Sequence, residues 1–138
     1  MGADEPEVAG HAGAFDIQAA CSGFVYALVN GSYLVASGHY RNALIVGSEK
    51  MSAVTDFEDR TVCVLLGDGA GAAVISPARN DLSGLYDHSL GADGNGAAML
   101  WVPAGGSKEP ASLKTVNERL HYLKMNGREV YKFAVVRM

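Results

Sequence analysis

The feature that most constrains the fold is a long apolar segment that directly follows a single cysteine. Residues 22–37 are apolar on several sides, and the segment is long enough for a buried helix. Gly38 is a natural residue to end this helix, and Gly31 within it indicates close packing against another backbone. Residues 14–20 alternate apolar and other side chains at a period of two, as a strand does.

Further short apolar segments predict an α/β arrangement around this helix. We expect strands at residues 43–47, 61–66 and 72–76. Strand, helix and strand between residues 14 and 47 favour a parallel βαβ unit. The sequence "GDGAG" at 67–71 predicts a turn between two antiparallel strands. It lacks the lysine and the spacing of nucleotide-binding loops, so we interpret it as a place of tight backbone packing.

The sequence changes in character after Pro77. Residues 78–84 are polar and rich in turn-forming residues, and they are the best candidate for a domain boundary. Beyond them, residues 85–112 predict at least two short strands separated by glycine-rich loops, and residues 113–124 are mixed and amphipathic. Residues 126–138 have the pattern of a helix.

Composition and charge argue against several classes of function. The net charge of the 138 residues is −4, which gives no general attraction to nucleic acid. No apolar run approaches the ~20 residues of a membrane span, and the acidic N-terminus lacks the apolar core of a signal peptide. Cys21 and Cys63 lie far apart, which disfavours a metal site and a disulfide-stapled secreted fold. We therefore expect a cytoplasmic protein with no metal, no nucleic-acid partner and no membrane partner.

Cys21 lies where the first strand is expected to end and the long helix to begin. The first turn of a helix has free backbone N–H groups and the positive end of the helix dipole, and both stabilise a thiolate. Ser22 and Gly23 are small, so a substrate can approach the backbone there. This placement suits a covalent acyl-transfer nucleophile. From spacing alone, a buried structural thiol is the more frequent explanation, and for Cys63 the strand context favours the core.

Five ordered blocks of sequence carry a resemblance to a known family. They are "AFDIQAACSGFVYAL", "ALIVGSEKMS", "TDFEDRT", "LLGDGAGAAVIS" and "MNGREVYKFAV", running from Phe15 almost to the C-terminus. In this order and spacing they resemble β-ketoacyl-acyl-carrier-protein synthase III. The resemblance implies a partial thiolase-like α/β fold, with a mixed sheet and a buried helix. It implies that residues 1–78 belong to an N-terminal half and that residues 79–138 begin a C-terminal half.

The resemblance also implies an activity for Cys21. In this family the matching cysteine takes an acyl group from acyl-coenzyme A, and acetyl is the expected primer here. The acyl-enzyme then condenses with malonyl-acyl-carrier-protein and loses CO₂, which initiates type II fatty acid synthesis. Coenzyme A enters as part of a substrate, so no cofactor is implied. A homodimer is expected for the complete protein.

Four further positions match the functional residues of the family. Arg60 in "DFEDRT" resembles the arginine that contacts the coenzyme A nucleotide. Gly127 and Tyr131 in "NGREVYKF" fall where the family lines the pantetheine tunnel. Lys132 falls where a basic residue can help to receive the acidic carrier protein.

Three of these residues also have an ordinary structural interpretation. Arg60 can pair with Asp56 or Glu58 on a solvated loop, which contributes little to stability. Lys132 can belong to an ordinary exposed helix face, and Tyr131 can be part of the core.

The family pattern includes residues that the five blocks do not contain. A synthase of this type needs a His and an Asn, from "PHQAN"-like and "NxGNTSAAS"-like segments, which face the charge that develops as CO₂ leaves. None of the four histidines lies in such a context: His11, His39, His88 and His121. We therefore expect a central piece of the enzyme, not competent alone and prone to associate. The alternatives are an inactive or acyl-binding scaffold that keeps Cys21, or a polyketide-type condensing enzyme of the same fold.

Overall fold

The computed structural model of the chain describes residues 12–79 and 84–137. The first part contains, in chain order, a 3-10 turn, helix α1, strand β1, a second 3-10 turn and strand β2, at Ala20–Ser22, Gly23–Ala36, Ala43–Lys50, Met51–Ala53 and Asp68–Ile75. The second part contains a 3-10 turn, strand β3, helix α2, strand β4 and helix α3, at Gly94–Met99, Leu100–Trp101, Leu113–Asn117, Lys124–Met125 and Gly127–Arg137. Strands β1 and β2 form one antiparallel sheet, and β3 and β4 form another.

Helix α1 confirms the helix predicted from the apolar segment. Gly38 follows its end with a φ of +79°, a conformation that glycine adopts without strain. The helix packs on one face of β1, where Val29 and Ile45 are buried. A Cβ on Gly31 would lie 2.5 Å from the Ile45 Cδ1 atom, so the close approach is real. The partner of Gly31 is a side chain of β1, whereas a backbone had been expected.

Strand β1 confirms the strand predicted at 43–47 and extends it to Lys50. Its partner β2 contains most of the "GDGAG" sequence, so the predicted turn at 67–71 is wrong. Gly47 lies opposite Gly71 in the register, and strand pairing overrides the usual turn preference of glycine. The predicted tight packing is also absent from the described residues, since a Cβ on Gly69 or Gly71 would meet no atom within 4 Å.

The predicted strand at 61–66 is a series of turns. The Asp59 carboxylate accepts the Thr61 N–H at 3.0 Å and the Thr61 hydroxyl at 2.6 Å. The Asp59 carbonyl accepts the N–H groups of Val62 and Cys63 at 3.2 and 3.0 Å. These local bonds outweigh the strand preference of the β-branched side chains. The predicted hairpin between 61–66 and 72–76 is therefore wrong as well, because β2 pairs with β1.

The predicted strand at 14–20 is not formed either. In the described part of the chain no neighbouring strand accepts its backbone hydrogen bonds, and an unpaired strand has no ladder to stabilise it. Phe15 is 69% exposed, so its side chain is not packed on a sheet face. The parallel βαβ unit is consequently absent from residues 12–79, where the sheet is purely antiparallel.

The second part agrees in outline with the sequence. Only one strand, β3, is found among described residues 85–112, where at least two were expected. Helix α2 occupies the start of 113–124, and α3 confirms the predicted C-terminal helix. Most of the predicted boundary at 78–84 lies outside the described residues, so the division at residue 78 stays a prediction.

Specific contacts join the two parts. The Leu123 N–H donates to the Val54 carbonyl at 2.8 Å, and the Tyr26 hydroxyl donates to the Gly91 carbonyl at 3.2 Å. Among the described residues, no helix combines the length and apolar character needed to cross a bilayer.

The face of the β1–β2 sheet opposite α1 is uncovered. Leu44, Val46 and Val74 are exposed to 67%, 56% and 69%. These side chains alternate with the residues that face α1, as the two-residue period of a strand requires. The sheet therefore has one packed face and one bare apolar face.

Candidate functional site

Cys21 lies in the 3-10 turn that leads into α1. Its side chain is exposed and forms no disulfide, so the interpretation as a buried structural thiol is wrong. Ala20, directly before it, has a φ of +46°, a left-handed conformation that a residue with a Cβ adopts at a cost of about 1–2 kcal/mol. Such strain at the residue before a candidate nucleophile is typical of functional turns.

The backbone amides beside Cys21 belong to the 3-10 turn and to the start of α1. Ser22 occupies the N-cap position, but its side chain accepts no hydrogen bond from the first turn. The first turn of α1 also contains no acidic residue. The N–H groups of Ser22 and Gly23 donate to the carbonyls of Ala19 and Ala20, so what favours negative charge at this end is the dipole of α1.

The loop that contains Arg60 is anchored by a buried carboxylate. Asp56 is only 4% exposed. Arg119 donates from Nε to Asp56 Oδ2 at 3.0 Å and from Nη2 to Oδ1, and Lys124 Nζ lies 3.6 Å from Oδ2. The hydrogen bonds from Arg119 hold the pKa of Asp56 well below its usual range, and they raise the pKa of Arg119.

The same arginine explains why Arg60 is left without an acidic partner. Arg119 Nη1 lies 3.5 Å from Glu58 Oε2, so both carboxylates suggested for Arg60 are paired with Arg119. No ion pair within residues 12–79 and 84–137 includes Arg60, which is exposed. The interpretation of Arg60 as a member of a surface ion pair is therefore wrong.

Sequence reasoning missed Arg119. It lies 63 positions from Asp56. Its backbone is left-handed, with a φ of +56°, and an arginine in the sequence does not indicate such a conformation. The only signal available was the number of acidic residues in "TDFEDR", which requires a cation from elsewhere in the chain.

The remaining predicted site residues lie on α3. Gly127 is its first residue, and Tyr131 is 72% exposed, so the interpretation of Tyr131 as core is wrong. Lys132 is exposed and pairs with Glu129 at 2.8 Å, one helical turn away. The hydrogen bonds and ion pairs of the described residues do not connect α3 with Cys21, so the structure does not itself bring these positions together.

Two of the three described histidines contact other side chains, whereas His39 is exposed and His11 lies outside the described residues. His121 Nε2 lies 2.9 Å from Thr115 Oγ1, and the His88 ring meets the Tyr33 ring edge-on at 5.7 Å between centroids. Among the described residues, no three His, Cys, Asp or Glu side chains cluster in a way that could hold a metal ion. The absence of a metal in the protein stays a prediction.

Comparison with known proteins assigns the chain to a family. The family model for 3-oxoacyl-[acyl-carrier-protein] synthase III matches residues 15–94. A β-ketoacyl-[acyl-carrier-protein] synthase III from Natranaerobius thermophilus is 49% identical over 98% of this chain, and one from Desulfitobacterium hafniense is 47% identical over 90%. The chain spans about 40% of the length of these relatives.

Solved structures give the same assignment. A crystal structure of a 3-oxoacyl-(acyl-carrier-protein) synthase III superposes with a TM-score of 0.85 at 33% identity, covering 92% of this chain and 40% of that one. A priming β-ketosynthase of a polyketide biosynthetic pathway superposes with a TM-score of 0.77 at 37% identity, covering 93% and 37%. The described strands and helices are thus a partial thiolase-like α/β fold, and the chain belongs to the 3-oxoacyl-[acyl-carrier-protein] synthase III family.

Proposed function

We propose that this chain carries the nucleophile of a β-ketoacyl-acyl-carrier-protein synthase, and that Cys21 is that nucleophile. The observation that carries the proposal is the exposed Cys21 thiol between a left-handed Ala20 and the start of α1, in a chain of this family. We assign to the whole protein the condensation of an acyl-coenzyme A, with acetyl as the primer, and malonyl-acyl-carrier-protein.

The first half-reaction is transfer of the acyl group to Cys21. The Cys21 thiolate attacks the thioester carbonyl, and the C–S bond to coenzyme A breaks. Coenzyme A leaves as a thiolate and takes up the proton that the Cys21 thiol gave up. The positive end of the α1 dipole favours negative charge at this end of the helix during the attack.

The second half-reaction forms the carbon–carbon bond. Malonyl-acyl-carrier-protein loses CO₂, and the electron pair of the broken bond attacks the acyl carbonyl on Cys21. The Cys21 sulfur leaves as a thiolate, and the product is a β-ketoacyl-acyl-carrier-protein. We assign the His and the Asn that stabilise the developing charge to the remainder of the longer polypeptide, since this chain spans about 40% of its relatives.

We assign the other predicted site residues to the two substrates. Arg60 contacts the coenzyme A nucleotide, and its exposed guanidinium, free of Asp56 and Glu58, is available for a phosphate or a base. Gly127 and Tyr131 line the path of the pantetheine arm at the start of α3. Lys132 contributes to docking of the acidic carrier protein.

We further propose that the halves meet near residue 78, that the complete protein is a homodimer and that it acts in the cytoplasm. The family implies the dimer. The two free thiols, Cys21 and Cys63, support a reducing compartment.

The test of the nucleophile is the position of the acyl adduct. The full-length protein is incubated with acetyl-coenzyme A, and the acylated peptide is identified by mass spectrometry. We expect one acetyl group on Cys21, no adduct in Cys21→Ala, and an unchanged adduct in the matched control Cys63→Ala. An adduct on Cys63, or none on the wild type, would overturn the proposal. Acetyl transfer without any β-ketoacyl product after malonyl-acyl-carrier-protein is added would favour the acyl-binding scaffold.

A priming role in polyketide synthesis is the second candidate. It is favoured by the similarity to the priming β-ketosynthase, with a TM-score of 0.77. The two candidates differ in the carrier protein that is elongated. Faster condensation with a polyketide-type carrier protein than with the fatty-acid carrier protein of the same cell would select it.

A further inference from the structure

We propose that Arg119 is a positioning residue: its guanidinium, clamped on buried Asp56, fixes the loop that presents Arg60 to its ligand. The proposal rests on the role proposed above for Arg60. Arg119 itself touches neither the substrate nor the reacting atoms. It acts through the Asp56 carboxylate on the backbone next to Arg60.

Arg119 combines an unfavourable backbone conformation with a forked contact to Asp56. It is a non-glycine residue at a φ of +56°, so its backbone conformation is unfavourable unless other interactions stabilise it. Its planar guanidinium meets both oxygens of Asp56 and also approaches Glu58 at 3.5 Å. A guanidinium makes this forked contact with a carboxylate, whereas an ammonium cannot.

Asp56 is in turn hydrogen-bonded to the backbone of the loop that contains Arg60. Asp56 Oδ1 accepts the Glu58 N–H at 3.1 Å, and the Asp56 carbonyl accepts the Asp59 N–H at 3.0 Å. Because Asp56 is 4% exposed, water has little access to replace these bonds. The clamp on the carboxylate therefore fixes the backbone directly ahead of Arg60.

The two neighbours of Arg60 in the chain are hydrogen-bonded to each other. Asp59, immediately before it, accepts two hydrogen bonds from Thr61, immediately after it, at 3.0 and 2.6 Å. Val62 follows with only 1% exposure and anchors the far side of the turn. Arg60 is thus an exposed side chain on a backbone held from both sides.

A backbone hydrogen bond outside the clamp links two proposed contact regions. Just after Arg119, the Leu123 N–H donates to the Val54 carbonyl at 2.8 Å. Strand β4 and then α3 follow directly, so the segment that bears Gly127 is tied to the loop that bears Arg60. A ligand that touches both regions meets them at a fixed separation.

The experiment compares a substrate that has the nucleotide with one that lacks it. Steady-state kinetics of the full-length protein are measured with acetyl-coenzyme A and with acetyl-pantetheine. For Arg119→Lys we expect KM for acetyl-coenzyme A to rise up to about tenfold, because a less fixed loop weakens the charge-assisted contact of Arg60 with the nucleotide, with kcat nearly unchanged. KM for acetyl-pantetheine should not change. An equal effect on both substrates would overturn the proposal, and so would no effect on either when Arg60→Ala itself raises KM for acetyl-coenzyme A.

Two variants sharpen this result. Arg119→Gly fits the left-handed φ but has no guanidinium, so it should behave like Arg119→Lys if the clamp, and not the backbone strain, matters. Arg41→Lys makes the same chemical change at an exposed position and should leave both KM values unchanged. In an Arg60→Ala background, Arg119→Lys should add less than a twofold further increase, because the side chain it positions is gone.

A readout independent of activity separates this proposal from the proposed function. Hydrogen exchange of the amides at 58–63 should be faster in Arg119→Lys than in the wild type or in Arg41→Lys. If Arg60→Ala leaves KM unchanged while exchange is faster, the clamp stands and the nucleotide contact of Arg60 is wrong. If exchange at 58–63 is unchanged, the clamp is wrong whatever the kinetics show.

Discussion

The two non-glycine residues with left-handed backbones in the described chain, Ala20 and Arg119, are held in opposite ways. Ala20 has only a methyl side chain, and its conformation is imposed by the 3-10 turn and the α1 helix that follows. Arg119 is held by its own side chain, through the ion pair with buried Asp56. One strained position is therefore held through backbone hydrogen bonds of the turn, and the other is held through a charged side chain.

Because the two positions are held differently, the Cys21 turn and the Arg60 loop should be sensitive to different changes. The position of the Cys21 turn depends on the packing of α1 against β1, where Gly31 contacts Ile45. That contact responds to side-chain volume and hardly to pH. The Arg60 loop depends on Asp56 being ionised, so it responds to acid and to loss of a single charge.

The largest loss of stability is expected when side-chain volume is added between α1 and β1. Gly31→Val places branched atoms where a Cβ alone would already lie 2.5 Å from Ile45, so we expect a loss of about 1–3 kcal/mol of unfolding free energy. Gly31→Ala is the matched control and should cost much less, because the end of the Ile45 side chain can turn away. Urea unfolding of the full-length variants measures both, and equal midpoints for Gly31→Val and the wild type would contradict the packing described.

A smaller effect, with a distinctive pH dependence, is expected from Asp56→Asn. Arg119 is 41% exposed, so water screens part of the ion pair. The folded pKa of Asp56 is depressed, so its stabilising contribution is complete above the unfolded pKa of about 4 and declines as pH falls towards the folded value.

The measurement is the melting temperature between pH 7 and pH 2. The difference in melting temperature between the wild type and Asp56→Asn should decrease below about pH 4, the ordinary aspartate pKa. The difference between the wild type and Gly31→Val should stay nearly constant. Asp16→Asn, at an exposed position, is the control for a general change in charge. A gap for Asp56→Asn that is independent of pH would show that the Arg119 contact does not depend on ionisation.

The smallest effect tests the strain at the Cys21 turn. Ala20→Gly removes the Cβ from a φ of +46°, so we expect a gain of up to about 1 kcal/mol, reduced by the extra freedom of glycine in the unfolded chain. Arg119→Gly should lower stability, since it relieves strain but loses the ion pair. Chemical unfolding of both variants checks this contrast, and a shift in the same direction for the two would remove the distinction between the regions.

What the sequence could predict follows the range of the interactions. Helices α1 and α3 were predicted because apolar spacing and the glycine at position 38 are local signals. The place of Cys21 at the start of α1 followed from the same pattern. Exposure of Arg60 and Tyr131 agrees with the roles taken from the family blocks, although those roles stay predictions.

The errors come from contacts that are distant in sequence or that reverse a local preference. Gly69 lies in a strand because it pairs with Glu49 in β1. The local preference of glycine for turns gives no sign of this pairing. Residues 61–66 turn because Asp59 caps them, despite their β-branched side chains. Arg119 could not be found because its partner lies 63 positions away.

The bare face and the open edges of the β1–β2 sheet have a consequence for the order of folding. Helix α1, β1 and β2 lie within 53 consecutive residues, Gly23–Ile75, and contacts so close in sequence form early. In the described chain this early unit has two unpaired strand edges and the exposed side chains of Leu44, Val46 and Val74. We therefore expect this unit, if it forms first, to be prone to association until the rest of the polypeptide covers it.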